Sequence, residues 1–309
     1  MTTFDYKAYL PIYVAHGDPS ADTIRHYTEE IDHFLTWTDD NAYSPFELTD
    51  FDARQYVRHL VEKRYSDATI SLKISAVKAF YNIATMTKHA PANPFADIKV
   101  KSPVHDDADF FFLTTEEVAQ ICEPFRNTTR TADLRNLAII MLMAVEGLRT
   151  VEVHRMSDSD YNKRTKSLLV HGKGHDGFIY PCEDTILALR RYAISRPRPV
   201  EDSLGRPTFV SLSTSTFGER ISRNGIRWAI NNILTAAGKK QPNVSCHMLR
   251  HSCGTNLYAE TKDLRLVQET LRHKDPAVTA RYAHVQERAT NRVTSKLSPF
   301  KGGRHNGRS

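Results

Sequence analysis

Residues 167–181 read Ser-Leu-Leu-Val-His-Gly-Lys-Gly-His-Asp-Gly-Phe-Ile-Tyr-Pro, two short apolar runs flanking a glycine-rich centre. The pattern predicts a β-hairpin that carries Lys173, between Gly172 and Gly174, near its tip. It is the clearest strand signal in the chain; the remaining periodicity is helical. Upstream, Ile24, Tyr27, Ile31 and Phe34 recur at three- and four-residue steps, predicting a helix over 21–37. A second helix is expected from near Thr49, and a third from about Asp67 to Ala84. The segment around Pro91 and Pro94 breaks that pattern. Beyond it, Thr114-Thr115-Glu116-Glu117 is a capping box that opens a new helix, 131–145 is an apolar helix, and Gly147 breaks it. Further helices are expected near 183–195, 219–237, 245–259 and 263–271, with another begun by Asp275-Pro276 and holding Tyr282. The fold expected is therefore mainly α, in two domains. Residues 1–101 form an all-helical domain, 102–112 a linker, 113–290 a mostly helical domain with a small antiparallel hairpin, and 291–309 a tail.

The 309 residues suffice for two such domains, at roughly 100–200 residues each. A hydrophobic fraction of 40% and a charged fraction of 25% exclude disordered, fibrous and membrane classes. No apolar run approaches the ~18 residues that span a bilayer. The first residues lack the basic and apolar regions of a secretion signal, so a cytoplasmic location is expected. Cys122, Cys182, Cys246 and Cys253 form no CxxC pair and read as reduced structural thiols. The net charge of +6 conceals a polarised distribution. Residues 1–52 carry 11 acidic and 2 basic groups, whereas 53–101 carry 3 acidic and 9 basic. A polyanion could lie against the basic helices, with solvated helix faces as the plain alternative.

On a helix, His247 and Arg250 would share a face and point at one small target such as a phosphate. His251 lies four residues from His247, but a metalloprotease-like zinc motif would need glutamate where Met248 stands, so no metal site is expected. About 100 residues earlier comes Gly147-Leu148-Arg149-Thr150-Val151-Glu152, and later come Leu271-Arg272-His273 and Thr279-Ala280-Arg281-Tyr282-Ala283-His284. In order and spacing these boxes resemble the tyrosine recombinase (phage integrase) family. That family has an arginine after Gly-Leu, a hairpin lysine, an HxLRH box, an LGH-like box and a nucleophilic tyrosine. Asn93-Pro94 and the helices before it resemble the family's helical, SAM-like core-binding domain.

The resemblance implies a site-specific DNA recombinase that cuts and rejoins strands through a 3′-phosphotyrosyl link and a Holliday junction. The roles also follow from the chemistry. Conserving the energy of a phosphodiester needs a covalent intermediate, for which the Tyr282 phenol is the candidate nucleophile. Arg149 and Arg250 would clamp the non-bridging oxygens, each contributing on the order of 3 to 4 kcal/mol to the transition state. Lys173 would protonate the departing 5′ oxygen, His247 would accept a proton or bind the phosphate, and His273 would add a donor. Glu152 is expected to position its neighbours. Arg272 departs from the family's glycine and is expected either to end its helix without that help or to touch DNA. Arg54, Arg58, Lys73, Lys78, Arg220 and Arg223 are candidate duplex contacts. No cofactor, metal or ATP is expected, since arginine, lysine and histidine supply the charge. The resemblance further implies a clamp of two domains around double-stranded DNA and a tetramer on two sites, with Val285, Val293 and Leu297 as possible anchors of the tail on a neighbour. The alternatives are relaxation of supercoils of the type IB topoisomerase kind, and a DNA-binding regulator that keeps the fold without catalysis.

Overall fold

Apolar residues at helical spacing build the first unit. In the computed structural model, which describes residues 4–14, 19, 21–99, 111–172, 176–241, 244–272, 279 and 282, the chain divides into two units, Met1–His105 and Asp106–Ser309. The first contains α1 (Tyr6–Tyr13), α2 (Ala21–Asp40), α3 (Asp50–Glu62) and α4 (Asp67–Met86). α1 was not expected, because Pro11 falls within it and its tyrosines blur the period. Thr49 begins α3 with a reciprocal capping box to Asp52, and the Ser66 hydroxyl caps α4. Phe34, Tyr56, Phe80, Tyr81 and Phe95 interlock in its core, mostly edge to face. Phe95 reaches that core because the Asn93 side-chain oxygen accepts its backbone N–H at 2.9 Å. The Asn93 amide is in turn tied to Asn82, so the Asn-Pro pair acts as a structural turn.

The second unit is organised around α6 (Thr131–Ala144), which is apolar around most of its circumference and correspondingly buried. Against it pack α5 (Thr115–Cys122), α7 (Thr150–Arg155), α8 (Glu183–Ser195), α9 (Arg223–Ala236) and α10 (Met248–Thr261). The capping box of Thr114 and Glu117 forms as its sequence indicates. A three-stranded antiparallel sheet holds β1 (Tyr161–Asn162), β2 (Ser167–His171) and β3 (Asp176–Ile179) in that order. Its register pairs Leu168 with Ile179 and His171 with Asp176. The expected hairpin is present, with a two-residue strand added at its edge. α9 starts later than expected because Ile221 is held by the Phe209 carbonyl and Ser222 caps the helix. Finally α11 (Leu264–Leu271) leads from the Asp263 cap to Arg272, and Thr279 and Tyr282 are helical and buried. Among the described residues no helix is long and apolar enough to cross a membrane. Of the expected linker only residues 111 and 112 are described, and the expected tail lies outside the described residues.

Candidate active site

A turn that only glycine permits sets the first element of the site. After α6 the chain passes through Gly147 at φ +69°, where an added Cβ would lie 2.5 Å from Leu271 Cδ2 and 3.1 Å from Cys253 Sγ. The turn delivers Leu148 to the core and Arg149 to the N-cap of α7. Glu152, three residues on, accepts from the Arg149 backbone N–H at 2.7 Å and from Arg149 Nη1 at 2.8 Å. Its carboxylate is buried, with only 1% of the side chain exposed. Arg272 Nη2 reaches the same carboxylate at 2.9 Å, and Arg250 Nη1 stands 3.9 Å from it. Three guanidiniums thus surround one carboxylate. Burial alone would raise the Glu152 pKa, but Arg272, the Arg149 backbone N–H, Arg250 and the Arg149 side chain outweigh it and hold the group below the usual carboxylate range.

Arg250 lies in the first turn of α10, with 1% of its side chain exposed. It donates to the carbonyls of Gly147 and Leu271, which ties the turn after α6 to the end of α11. Burial, then the neighbouring charge of Arg149, lowers its pKa to about 10, so it stays charged at neutral pH. Three residues before it, His247 occupies the N-cap of α10 and its ring meets that of His251 edge to face, centroids 4.8 Å apart. His247 is exposed, yet the protein around it and then the guanidiniums of Arg250 and Arg149 push its pKa down to about 4. The sequence suggested a group titrating near neutrality; in the fold the imidazole is neutral there. Among the described residues no group of three or more histidines, cysteines or acids is placed to hold a metal ion.

Tyr282 is buried, 2% exposed, and seats its ring against α10 at Gly254. A Cβ at Gly254 would fall 2.7 Å from Tyr282 Cζ and 2.8 Å from Leu271 Cδ1. The Tyr282 hydroxyl lies 3.3 Å from His251 Nδ1, and the phenol is near enough to Arg250 to influence its titration. His251 was read from the sequence only as a possible zinc partner; the fold instead makes it the neighbour of the phenol. Its place one turn after His247 was the available signal. Lys173 and His273 lie outside the described residues, as do Val285, Val293 and Leu297. The strands that carry Lys173 are described, and Arg155 holds the base of their turn through the Gly172 carbonyl at 3.2 Å.

The expected duplex contacts divide. Arg54 and Arg58 are exposed on α3, Arg58 pairing with Glu62 at 2.8 Å, and Arg223 is half-buried at the start of α9. Lys73 is a correction: it is buried and bonded to Glu30, because its stretch of α4 faces α2. Lys78 is tied to the carbonyls of Ala96 and Ile98, holding the turn that inserts Phe95. Arg220 is a second correction. Its side chain is 5% exposed, and its guanidinium is spent on both oxygens of Asp202 and on the carbonyls of His154, Met156 and Gly205.

Residues 112–289 match the model of the phage integrase family, and residues 5–88 that of the phage integrase N-terminal SAM-like domain. The chain is 30% identical over 281 residues to tyrosine recombinase XerC of Bacillus pumilus, covering 87% of each protein. It is 28% identical over 300 residues to tyrosine recombinase XerC of Pediococcus pentosaceus, covering 95% of this chain and 96% of that one. Its fold resembles that of the XerH site-specific recombinase bound to a palindromic difH substrate, with a TM-score of 0.71 at 18% identity over 90% of this chain and 80% of that one. It also resembles the Tn1549 transposon integrase in complex with circular intermediate DNA, with a TM-score of 0.69 at 17% identity over 90% of this chain and 93% of that one.

Proposed function

The chain belongs to the phage integrase family and is a site-specific tyrosine recombinase, and from that premise we propose that Tyr282 cleaves double-stranded DNA to leave a 3′-phosphotyrosyl link. The Tyr282 oxygen attacks the phosphorus, the bond to the 5′ oxygen breaks, and that oxygen leaves with a proton. Attack by the 5′ hydroxyl of a second strand reverses the sequence, expels the phenol and restores a phosphodiester, so no external energy source is needed. Two rounds of exchange pass through a Holliday junction.

Arg149 and Arg250 bind the non-bridging oxygens, on which charge builds in the transition state. His247, neutral at pH 7, accepts the phenol proton or hydrogen-bonds to the phosphate. Lys173 delivers the proton to the 5′ oxygen, and His273 adds a donor. Glu152 orients the arginines. Positive guanidiniums take the part that a metal plays in other phosphoryl transfers, so the reaction should proceed in EDTA. Arg54, Arg58 and Arg223 face the duplex, and four protomers would assemble on two sites.

The observation that carries this reading is a buried tyrosine seated on α10 beside Arg250, in a site where three guanidiniums face one carboxylate. A nicked suicide duplex tests it: wild type should form an SDS-resistant adduct with or without EDTA. An adduct that persisted in Tyr282→Phe would assign the chemistry to another nucleophile.

A further inference from the structure

Arg272 occupies a backbone position that disfavours it. It ends α11 in the left-handed region, φ +54° and ψ +47°, where glycine carries no steric penalty. Its side chain is 11% exposed, and its buried Nε has no hydrogen-bond partner among the described residues. Both features oppose stability, and a residue that breaks two local rules at once points to a role in function. Nor does the side chain extend outward to a duplex: Nη1 donates to the Thr270 carbonyl at 3.0 Å and Nη2 to Glu152 Oε2 at 2.9 Å. Space for it is left beneath the hairpin, where a Cβ on Gly177 would come within 3.3 Å of Arg272 Cδ.

Oxygen Oε2 of Glu152 already accepts from the Arg149 backbone N–H, and Arg250 Nη1 waits 3.9 Å away from it. With Arg272 bound, that oxygen has its donors and Arg250 is not drawn into a closed pair. Without it, Glu152 and Arg250 can close the gap, and one phosphate-binding guanidinium is neutralised by its own protein. We propose that Arg272 is a positioning residue for strand cleavage, engaging Glu152 so that the charge of Arg250 is left for the scissile phosphate. This rests on the cleavage reading above and deepens it.

The test compares Arg272→Gly, Arg272→Gln and Arg272→Lys. Single-turnover adduct formation on saturating suicide duplex should slow about 10- to 100-fold in Arg272→Gly and Arg272→Gln, the scale on which misplaced reacting groups act. Arg272→Lys, which keeps a charge within reach of Glu152, should recover most of the rate. Duplex affinity and its salt dependence should be unchanged, and rates are compared per folded molecule, because glycine relieves the left-handed backbone while Glu152 loses one of its charged partners. Equal rates in wild type and Arg272→Gly would overturn the proposal, as would a salt slope reduced by about one, which marks a lost phosphate contact. A rate loss that disappears when rates are expressed per folded molecule would make the residue structural and also overturn it. Guanidinium NMR on the DNA-free protein is independent of cleavage: the Arg250 signals should move in Arg272→Gly and stay near their wild-type positions in Arg272→Lys. If no duplex yields an adduct with wild type, the cleavage reading falls, and those signals alone decide whether Arg272 controls Arg250.

Discussion

Arg220 and Arg250 are both almost wholly enclosed by the second unit, with 5% and 1% of their side chains exposed, yet they serve opposite ends. Arg220 meets Asp202 through two bonds of 2.6 and 2.9 Å and spends its other donors on three backbone carbonyls and the Ser157 hydroxyl. Its charge is matched one for one, and it fastens the loop after α8 to the end of α7. Arg250 also braces backbone, at Gly147 and Leu271, but its nearest carboxylate is 3.9 Å away and already engaged by Arg149 and Arg272. Burial with matched charge makes an anchor; burial with surplus positive charge suits the phosphate-binding role proposed for Arg250. The electrostatic state of Arg250, rather than its burial, separates chemistry from architecture.

The strongest way to break that contrast is through the proposed nucleophile. Tyr282→Phe keeps the ring seated at Gly254 and removes only the hydroxyl, so adduct formation should vanish while duplex binding persists in a gel-shift assay. Next comes the pair of arginines. Arg250→Gln should cut the single-turnover rate by about 10²- to 10³-fold, the cost of losing an oxyanion donor. Arg220→Gln should instead cost about 3 kcal/mol of stability, since Asp202 is left without its charged partner but is open enough to rehydrate in part. Thermal unfolding and the rate per folded molecule together check the assignment, and a reversal of the two phenotypes would sink it. A smaller effect is expected from Gly254→Ala, whose methyl must displace the Tyr282 ring or Leu271; the rate should fall by roughly 10-fold.

The smallest effect distinguishes two histidines by the sign of their pH dependence. Burial alone would lower the pKa of His171, but Asp160 at 3.1 Å and Asp176 at 3.0 Å prevail and raise it. Its folded pKa exceeds the unfolded one, so it contributes stability below the unfolded value of about 6.5, lost as pH rises through the folded value. His247, lowered to about 4, has the opposite sign: stability present above about 6.5 is lost as pH falls toward 4. NMR titration of the two ring signals, with His171→Gln and His247→Gln as controls, should show transitions on opposite sides of the ordinary histidine value.

Much of this architecture could be read from residue order. The helical periods of α2, α3 and α4, the Thr114–Glu117 capping box and the apolar runs of β2 and β3 are local signals, and local hydrogen bonds and burial enforced them. α1 escaped because a proline interrupts so short a period. The basic residues were the least legible. Lys73 and Arg220 carry the same charge as exposed Arg54, but the helix and loop packed above them decide whether a cation meets solvent or a carboxylate.

By itself the sequence determined the residue types and their order: Arg149, Glu152, His247, Arg250 and Tyr282 stand in boxes that resemble those of the phage integrase family, and the resemblance implies the roles proposed for them. Tertiary structure alone decided how their charges add. It placed three guanidiniums around one buried carboxylate, turned Arg272 inward, left His247 neutral and set His251 beside the phenol. The physical reason is that periodicity and capping act over a few residues along the chain. Charge compensation depends on distance through space, here between groups separated by as many as 133 positions in sequence, from Arg149 to Tyr282.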